Sequence, residues 1–238
     1  MKDKIALVTG SSHGIGRDIA LKLADVTSGV AVHYKNKRNA AEKVVKKIRE
    51  KGKLAVSFRS DLTKEREASA LVRNVEEKFG RIDILINNFG PILVKSWEKV
   101  TSSEWDYILR SNLMSALYCL KASLPGMRKR KWGRIINLGY SRAEQLVAFS
   151  KITPYAIAKT GLLILTRSVA ASEGSAGITV NMVSPGLMEG GILPESKSVP
   201  KGRLGKFADI SSAVLFLVSD EADFISGTNL IVAGGWKI

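Results

Sequence analysis

The first apolar strand of the chain runs into a glycine-rich turn that reads Val8-Thr9-Gly10-Ser11-Ser12-His13-Gly14-Ile15-Gly16, and a helical pattern follows at once. Glycines let a backbone turn tightly and approach a pyrophosphate, whose charge is stabilised by a helix N-terminus. The spacing is Gly-x3-Gly-x-Gly, and a purely structural turn would use the same residues. Because the turn lies at the first β-to-α junction, it indicates a nucleotide-binding site.

Short apolar runs alternate with longer amphipathic stretches along the rest of the chain. The runs predict seven strands: Ile5–Val8, Val30–Tyr34, Leu54–Phe58, Ile82–Ile86, Arg134–Leu138, Thr179–Val183 and Asn229–Val232. Helices are predicted near residues 15–25, 39–52, 64–79, 102–131, 154–173 and 208–219, and Pro125-Gly126 should bend or break the fourth. This alternation implies βαβ units and a parallel sheet that is covered by helices on both faces.

No repeat, low-complexity tract or linker divides the chain, so we predict that residues 1–238 form one domain. The longest stretch without clear periodicity is 184–207, which holds three prolines and five glycines. A loop of this length in a compact domain is usually a lid, a binding loop or disordered. Since it precedes the last helix and strand, we predict a lid over the substrate.

Composition excludes several classes of protein. The chain has 238 residues, a formal net charge of +15 and a hydrophobic content of 45%, which is ordinary for a globular protein. A single cysteine, Cys119, excludes an intrachain disulfide, and with only two histidines we expect no metal site. No apolar run is long enough to span a membrane and no signal-peptide pattern is present, so we expect a cytoplasmic protein without a membrane partner.

The positive charge is concentrated in two stretches. Residues 35–53 hold nine Lys/Arg, and residues 121–134 hold six basic residues and no acidic one. Such a balance can serve nucleic acid, an anionic surface or acidic partners. Because the chain has no recognition helix and no interleaving of aromatic with basic residues, we expect no nucleic-acid partner.

The segment after the second strand contains no acidic residue. It reads Tyr34-Lys35-Asn36-Lys37-Arg38, whereas a site that prefers NAD usually offers an acid to the ribose hydroxyls. Cations at this point favour a 2′-phosphate through charge-assisted hydrogen bonds, and so predict NADPH/NADP+. The alternative interpretation is a solvated basic helix face, which accounts for the lysines further along the helix.

Tyr155 and Lys159 lie four residues apart, on one face of a predicted helix. A phenol with a pKa of about 10 is a poor acid near neutrality, and an adjacent cation lowers that pKa. The pair could donate a proton to a developing alkoxide while a hydride arrives from a nicotinamide. Taken alone, this spacing is more often an exposed helix pair.

Together and in this order, these features resemble the short-chain dehydrogenase/reductase family over essentially the whole chain. The other matching motifs are Asp61-Leu62, Asn87-Asn88-Phe89-Gly90, Asn112 and Pro185-Gly186. Within the family, the chain is most similar to the 3-oxoacyl-(acyl-carrier-protein) reductases and acetoacetyl-CoA reductases. The resemblance implies an α/β fold with a doubly wound, Rossmann-type parallel sheet of seven strands in three α/β/α layers. It also implies NADPH-dependent reduction of a 3-oxoacyl thioester.

The resemblance also implies roles for individual residues. Tyr155 would be the catalytic acid, Lys159 would lower its pKa and hold the nicotinamide ribose, and Asn112 would hold a water of the proton relay. Asp61 would meet the adenine, although it could instead cap a helix, and Asn112 could simply bridge backbone groups. The residues expected at the cofactor are Gly10, Ser12, His13, Gly14, Ile15, Gly16, Tyr34, Lys35, Asn36, Lys37, Arg38, Asp61, Leu62, Asn88, Phe89, Gly90, Tyr155, Lys159, Pro185 and Gly186.

The match departs from the family pattern at the catalytic serine. Tyr140 stands at that position, Ser141 follows it, and the loop to Tyr155 is about two residues longer than the family's. Either Ser141 swings in, or the Tyr140 hydroxyl orients the substrate carbonyl, or the contact is missing. Losing one such donor typically costs ~10²–10³ in rate. In addition, Phe89 replaces an alanine, and Gly190 stands where a threonine commonly meets the nicotinamide amide.

These departures leave the substrate open. One alternative function is NADPH-dependent reduction of another carbonyl or imine, such as a pteridine, and another is a nucleotide-binding scaffold with little turnover. The basic turn Arg128–Lys131 is either a solvated turn or a docking site for an acidic acyl-carrier protein or the phosphates of coenzyme A. The resemblance further implies a homotetramer with the helices at 102–131 and 154–173 in one interface.

Overall fold

Seven parallel strands form one twisted sheet in the computed structural model, which describes residues 1–191 and 198–237. The strands are β1 (Ile5–Val8), β2 (Gly29–Tyr34), β3 (Leu54–Arg59), β4 (Ile84–Asn87), β5 (Gly133–Leu138), β6 (Ile178–Pro185) and β7 (Asn229–Val232). Their spatial order is β3-β2-β1-β4-β5-β6-β7. Every neighbouring pair is parallel, which confirms the predicted doubly wound α/β sheet.

Helices cover both faces of the sheet. They are α1 (Gly14–Val26), α2 (Arg38–Glu50), α3 (Glu65–Phe79), α4 (Ser102–Leu109), α5 (Ser115–Arg130), α6 (Thr153–Glu173) and α7 (Phe207–Val218). Alternate strand residues serve two apolar layers: Val8, Val32 and Ile86 pack towards α1, α2 and α7, while Leu7 and Leu85 pack towards α3 and α5. Because both faces are buried, the central strands read as continuous apolar runs.

The strand β4 begins at Ile84, two residues later than the predicted start at Ile82. The Asp83 carboxylate, rather than a main-chain carbonyl, accepts the N–H of Ile5 at 2.9 Å, and Arg81 neutralises it with a 2.7 Å contact. The ladder with β1 therefore starts one residue further on, where Ile84 pairs with Ala6.

The predicted helix at 102–131 is interrupted elsewhere than expected. A π-helical turn at Arg110–Met114 separates α4 from α5, and α5 then continues through Pro125 to Arg130. Of the predicted bend or break at Pro125-Gly126, the break was wrong, because the helix continues through both residues. The carbonyl of Lys121, which loses its partner at Pro125, belongs to an exposed residue, where solvent can take the place of the missing N–H.

The two ends of the segment 184–207 are joined at its base. The N–H of Gly205 donates to the Leu187 carbonyl at 2.8 Å, and the N–H of Glu189 donates to the Gly205 carbonyl at 2.9 Å. Residues 192–197 of the predicted lid lie outside the described residues. The lid therefore stays a prediction. What the structure shows is that the segments on either side of it are hydrogen-bonded to each other.

Candidate active site

A cavity of about 890 Å³ opens at the carboxyl ends of the strands. It lies where the strand order reverses between β1 and β4, the point at which doubly wound sheets bind ligands. Its walls come from the glycine turn, the end of β2, the segment after β4, the loop after β5, the start of α6 and the segment after β6. Most of the residues predicted for the cofactor therefore share one cavity.

The glycine turn is held in place by Asn88, whose Nδ2 donates to the carbonyls of Thr9 and Gly10 at 3.0 Å each. A Cβ on Gly16 would lie 2.4 Å from that Nδ2 and 2.6 Å from the Gly10 carbonyl oxygen, so only glycine fits there. Gly10 itself has a φ of +62°, in the left-handed region. No described side chain caps α1 at His13, so its first N–H groups remain available to an anion.

His33 supports the same turn from below, and the sequence analysis missed this role. Its Nδ1 accepts the N–H of Gly10 at 2.9 Å, and its Nε2 donates to the Ser60 carbonyl at 3.0 Å. The ring is fully buried, and burial lowers the His33 pKa to about 4. A histidine at the end of a buried strand beside the glycine turn was the available signal.

The cations of the basic segment after β2 differ in whether they already form an ion pair. Tyr34, Lys35, Asn36 and Lys37 line the cavity, whereas Arg38 begins α2 and is exposed outside it. Lys35 already forms an ion pair, because its Nζ contacts Asp61 Oδ2 at 2.9 Å, and it also lies 5.2 Å from the centroid of the Tyr107 ring.

Asp61 lies in a neighbouring cleft of about 420 Å³ that shares Lys35 and Asn36 with the main cavity. Its Oδ1 accepts the N–H and hydroxyl of Thr63 at 3.2 and 2.8 Å, while α3 begins only at Glu65. The alternative that Asp61 caps a helix was therefore wrong, because the chain makes one further turn before α3. Leu62 is fully buried in the core against α3, so its side chain anchors this turn and does not line the cavity.

Asn112 lies in the π-helical turn, a feature often found at functional sites. Its Nδ2 donates to the carbonyls of Pro91 and Ile108 at 2.9 and 3.1 Å, so it does bridge backbone groups. Its Oδ1 is buried and has no partner among the described residues. A Cβ on Gly90 would lie 2.3 Å from this oxygen, so the glycine leaves the room that the Asn112 side chain occupies.

Tyr155 and Lys159 project from the first turns of α6 into the cavity. Lys159 Nζ donates to the Leu138 carbonyl at 2.7 Å and lies 5.6 Å from the centroid of the Tyr155 ring. Burial lowers the Lys159 pKa to about 7 and, with the nearby Tyr140, raises the pKa of Tyr155. The expected lowering of the Tyr155 pKa is thus not present here, because burial disfavours both the ammonium and the phenolate.

Tyr140, rather than Ser141, lies beside Tyr155. The two tyrosine ring centroids are 5.8 Å apart with an interplanar angle of 64°, and Tyr140 lines the cavity. Ser141 is buried, donates its N–H to the Pro185 carbonyl at 3.1 Å, and leaves its hydroxyl without a partner among the described residues. Tyr140 thus lines the cavity and Ser141 does not, and the three hypotheses for the serine position stay predictions.

The remaining predicted positions also border the cavity. Pro185, Gly186 and Gly190 line its floor, and Phe89 stands against the His33 ring with 6.0 Å between the centroids. A Cβ on Gly186 would lie 2.7 Å from Ala233 Cβ, which explains the glycine. Sequence reasoning missed a group of lining residues from the loop after β5 and the C-terminal segment: Arg142, Phe149, Lys151, Trp236 and Lys237.

Within residues 1–191 and 198–237, no three His, Cys, Asp or Glu side chains are grouped as metal ligands would be. None of the helices in these residues combines the length and apolarity needed to cross a membrane.

Residues 10–237 match a family model described as enoyl-(acyl carrier protein) reductase. The 3-oxoacyl-[acyl-carrier-protein] reductase FabG of Staphylococcus aureus is 36% identical over 241 residues, which cover 98% of this chain and 97% of that protein. A blue fluorescent protein from a metagenomic library, solved in complex with NADPH, superimposes with a TM-score of 0.93 at 28% identity and covers 100% of this chain and 99% of its own.

The landomycin C-6 ketoreductase LanV, solved with bound NADP and rabelomycin, gives a TM-score of 0.89 at 31% identity over 98% of this chain and 96% of its own. The similarity thus extends over nearly the full length in sequence and in structure. The chain belongs to the short-chain dehydrogenase/reductase family, the oxidoreductases that use a nicotinamide cofactor.

Proposed function

We propose that this protein reduces a 3-oxoacyl thioester to the 3-hydroxyacyl product with NADPH, and that Tyr155 donates the proton. The observation that carries the proposal is that Tyr155 and Lys159 share one cavity with the glycine turn at the switch point of the sheet. The name of the Staphylococcus aureus relative supports the same reaction.

The cavity fits a dinucleotide at its phosphate end. The uncapped N-terminus of α1 offers main-chain N–H groups, and a Cβ on Gly14 would meet no atom within 4 Å, so the backbone there borders open space. When bound, the nicotinamide supplies the hydride to the carbonyl carbon. Lys37 lines the cavity and Arg38 follows it, and neither has an ion pair among the described residues. Lys37, together with the NADPH and NADP in two similar solved structures, favours NADPH over NADH, while Arg38 lies outside the cavity lining.

The proton would come from the Tyr155 hydroxyl, which its raised pKa keeps protonated at neutral pH. Negative charge in the cavity would favour the Lys159 cation, and that cation would in turn favour phenolate at Tyr155 as the proton leaves. The unpartnered Oδ1 of Asn112 would hold a water that returns a proton towards Lys159.

The Tyr140 hydroxyl would replace the family's serine as the second donor to the carbonyl oxygen. Its ring contacts the Tyr155 ring, whereas the Ser141 hydroxyl is buried outside the cavity lining. Because a phenol reaches further than a serine, the carbonyl would lie further from the main chain of β5.

We propose an acidic acyl-carrier protein as the partner. Its docking site on the turn Arg128–Lys131 would use fewer cations than the sequence suggests. Arg128 pairs with Glu173 at 2.6 Å, and Arg130 lies 3.4 Å from Asp83. Lys129 and Lys131 are therefore the cations of this turn that have no ion pair in the described part of the chain. We expect reversal of both lysine charges to raise the KM for a carrier-bound substrate and to leave the KM for a coenzyme A thioester unchanged.

A homotetramer is the proposed assembly, as the resemblance implies. The exposed apolar side chains Ile157 and Ile164 on α6, with Tyr107 on α4, would be covered in one interface. Light scattering of the wild-type protein should give four times the chain mass, and Ile164→Glu should give a smaller particle.

One observation supports a second candidate function, the reduction of a pteridine or another imine. The serine position holds Tyr140, and Tyr140 and Phe149, packed edge to face with their ring centroids 6.1 Å apart, give the cavity an aromatic wall against which a flat heterocycle would pack. A scaffold with little turnover is the third candidate, and it predicts NADPH binding without a Tyr155-dependent rate.

The deciding experiment follows NADPH oxidation with acetoacetyl-CoA and with dihydrobiopterin, beside NADH and a Tyr155→Phe variant. We expect a rate with acetoacetyl-CoA that prefers NADPH and falls about 10²–10⁴-fold in Tyr155→Phe. A rate confined to the pterin would favour the second candidate. NADPH binding by fluorescence without turnover of either substrate would favour the scaffold.

A further inference from the structure

An arginine with no carboxylate partner in the described residues lines the substrate side of the cavity. Arg142 follows Tyr140 and Ser141 in the loop after β5, and its guanidinium lies 4.8 Å from the centroid of the Phe149 ring. Its Nε donates to Gln145 Oε1 at 2.7 Å, and Gln145 Nε2 donates in turn to the Lys237 carbonyl at 2.6 Å. The guanidinium is thus held in place by neutral groups, and no carboxylate of residues 1–191 and 198–237 pairs with it.

The position of Arg142 relates it directly to the reacting atoms. Both side chains lie against the Phe149 ring: the Arg142 guanidinium is 4.8 Å and the Tyr140 ring centroid 6.1 Å from the Phe149 centroid. Burial raises the Tyr140 pKa, and the charge of the nearby Arg142 opposes this rise. The Tyr140 ring in turn contacts the ring of Tyr155, the proposed proton donor. Arg142 therefore lines the same part of the cavity as the two tyrosines, beside which the carbonyl would lie.

The other charged groups at this end of the cavity are mostly cations. Lys151 and Lys237 line it with Arg142, and the acidic residue among the lining residues described is Glu189 on the segment after β6. The charge of Glu189 acts on Arg203, which also pairs with Asp209 at 2.7 Å. A neutral substrate would leave a partly buried guanidinium unpaired, which costs free energy.

We propose that Arg142 binds a carboxylate on the acyl part of the substrate, close to the carbonyl that is reduced. This inference rests on the proposed function and names its substrate class: an oxoacyl compound that carries a second acid group. A guanidinium with its Nε already occupied still offers its two terminal nitrogens to a carboxylate as a pair of charge-assisted hydrogen bonds. The phosphates of a pantetheine arm are many bonds away from the thioester, so they would lie far from a side chain in the part of the cavity that Tyr140 and Phe149 line.

The test compares two substrates of the same shape that differ in charge. The N-acetylcysteamine thioester of 3-oxoadipate carries a carboxylate and no phosphate, and its methyl ester carries neither. We expect the wild-type kcat/KM to be about 10- to 100-fold higher for the carboxylate, in line with one hydrogen-bonded charge pair. In Arg142→Met this ratio should fall to about one, mainly through KM, and Arg142→Lys should restore part of it.

Arg73→Met is the matched control, because it removes an equal charge from an exposed position on α3 that does not line the cavity. The control should keep the wild-type ratio. If Arg142 only orients Tyr140, Arg142→Met would lower kcat equally for both substrates and leave the ratio unchanged, which overturns the inference. A loss confined to coenzyme A thioesters would identify the carrier phosphates as the anion and would also overturn it.

Failure of the proposed function gives a different result. If neither thioester is reduced although NADPH binds, the proposed reaction is wrong, and the inference is then tested by calorimetry with adipate and its dimethyl ester in the presence of NADP+. Binding of adipate that Arg142→Met weakens at least 10-fold and Arg73→Met does not would support the carboxylate site. Equal binding to wild type and Arg142→Met would overturn it.

Discussion

The Nδ1 atom of His33 accepts the main-chain N–H of Gly10 at 2.9 Å, so a buried imidazole supports the turn that would hold the pyrophosphate. Only a ring without a proton at Nδ1 can accept this bond, while Nε2 donates to Ser60. The turn is therefore coupled to a titratable group that lies outside the cavity lining.

This coupling predicts a loss of stability in mild acid. The His33 pKa is lowered to about 4 in the folded chain, so between pH 6.5 and pH 4 the unfolded chain binds more protons at this residue than the folded chain does. The free energy of unfolding should therefore fall as the pH falls through this window, by up to about 3 kcal/mol. Urea titrations at pH 4.5, 5.5 and 7 measure the change.

His33→Phe is the comparison variant for that titration. It removes the acceptor of the Gly10 N–H, which should cost about 1–3 kcal/mol at pH 7 and weaken NADPH binding. The free energy of unfolding should also depend less steeply on pH in this variant than in wild type. The carboxylates titrate in both proteins, but His33 titrates only in wild type. An identical slope in both proteins would contradict the role given to His33.

A methyl group at Gly16 should disrupt the glycine turn. The added Cβ would lie 2.4 Å from Asn88 Nδ2 and 2.6 Å from the Gly10 carbonyl oxygen, and the second contact cannot relax without moving backbone. We expect Gly16→Ala to cost about 1–3 kcal/mol of stability and at least 10-fold in NADPH affinity. Gly174→Ala, where a Cβ meets no atom within 4 Å, is the control and should leave both quantities unchanged.

Cofactor binding should take up a proton at Lys159. In the free protein burial lowers its pKa to about 7, so at pH 8 most of the side chain is neutral. An anionic ligand favours the cation, and NADPH affinity should therefore weaken as the pH rises from 7 to 9. Calorimetry in buffers of different ionisation enthalpy measures the uptake, and Lys159→Met should abolish it. Proton release on binding would refute this prediction.

The two candidates for the serine position can be separated by single substitutions. Tyr140→Phe removes the hydroxyl of a cavity-lining ring that contacts the Tyr155 ring, and we expect kcat to fall about 10²-fold. Ser141→Ala removes a buried hydroxyl that has no partner among the described residues, so activity and stability should change little. A large loss of kcat in Ser141→Ala alone would show that Ser141 enters the site in the complex.

The sequence by itself determined the fold class, most element boundaries and the residues of the glycine turn. Apolar periodicity identifies strands and helices because each face that is buried must be apolar, and this pattern is local. Val8–Gly16, Asn88 and the Tyr155–Lys159 pair could be located for the same reason, since each is a short motif at a predictable strand end or on one helix.

Only the tertiary structure decided which partners these residues have. The contact of Lys35 with Asp61 spans two elements, α2 and β3, and it leaves Lys37 and Arg38 as the cations of that segment with no ion pair among the described residues. The burial that lowers the Lys159 pKa, the hydrogen bond from Gly10 to His33, and the contact between the Tyr140 and Tyr155 rings all depend on groups distant in sequence. The distance between two side chains and the extent of their burial are set when the sheet brings separate strand ends together. A local sequence pattern therefore cannot predict them.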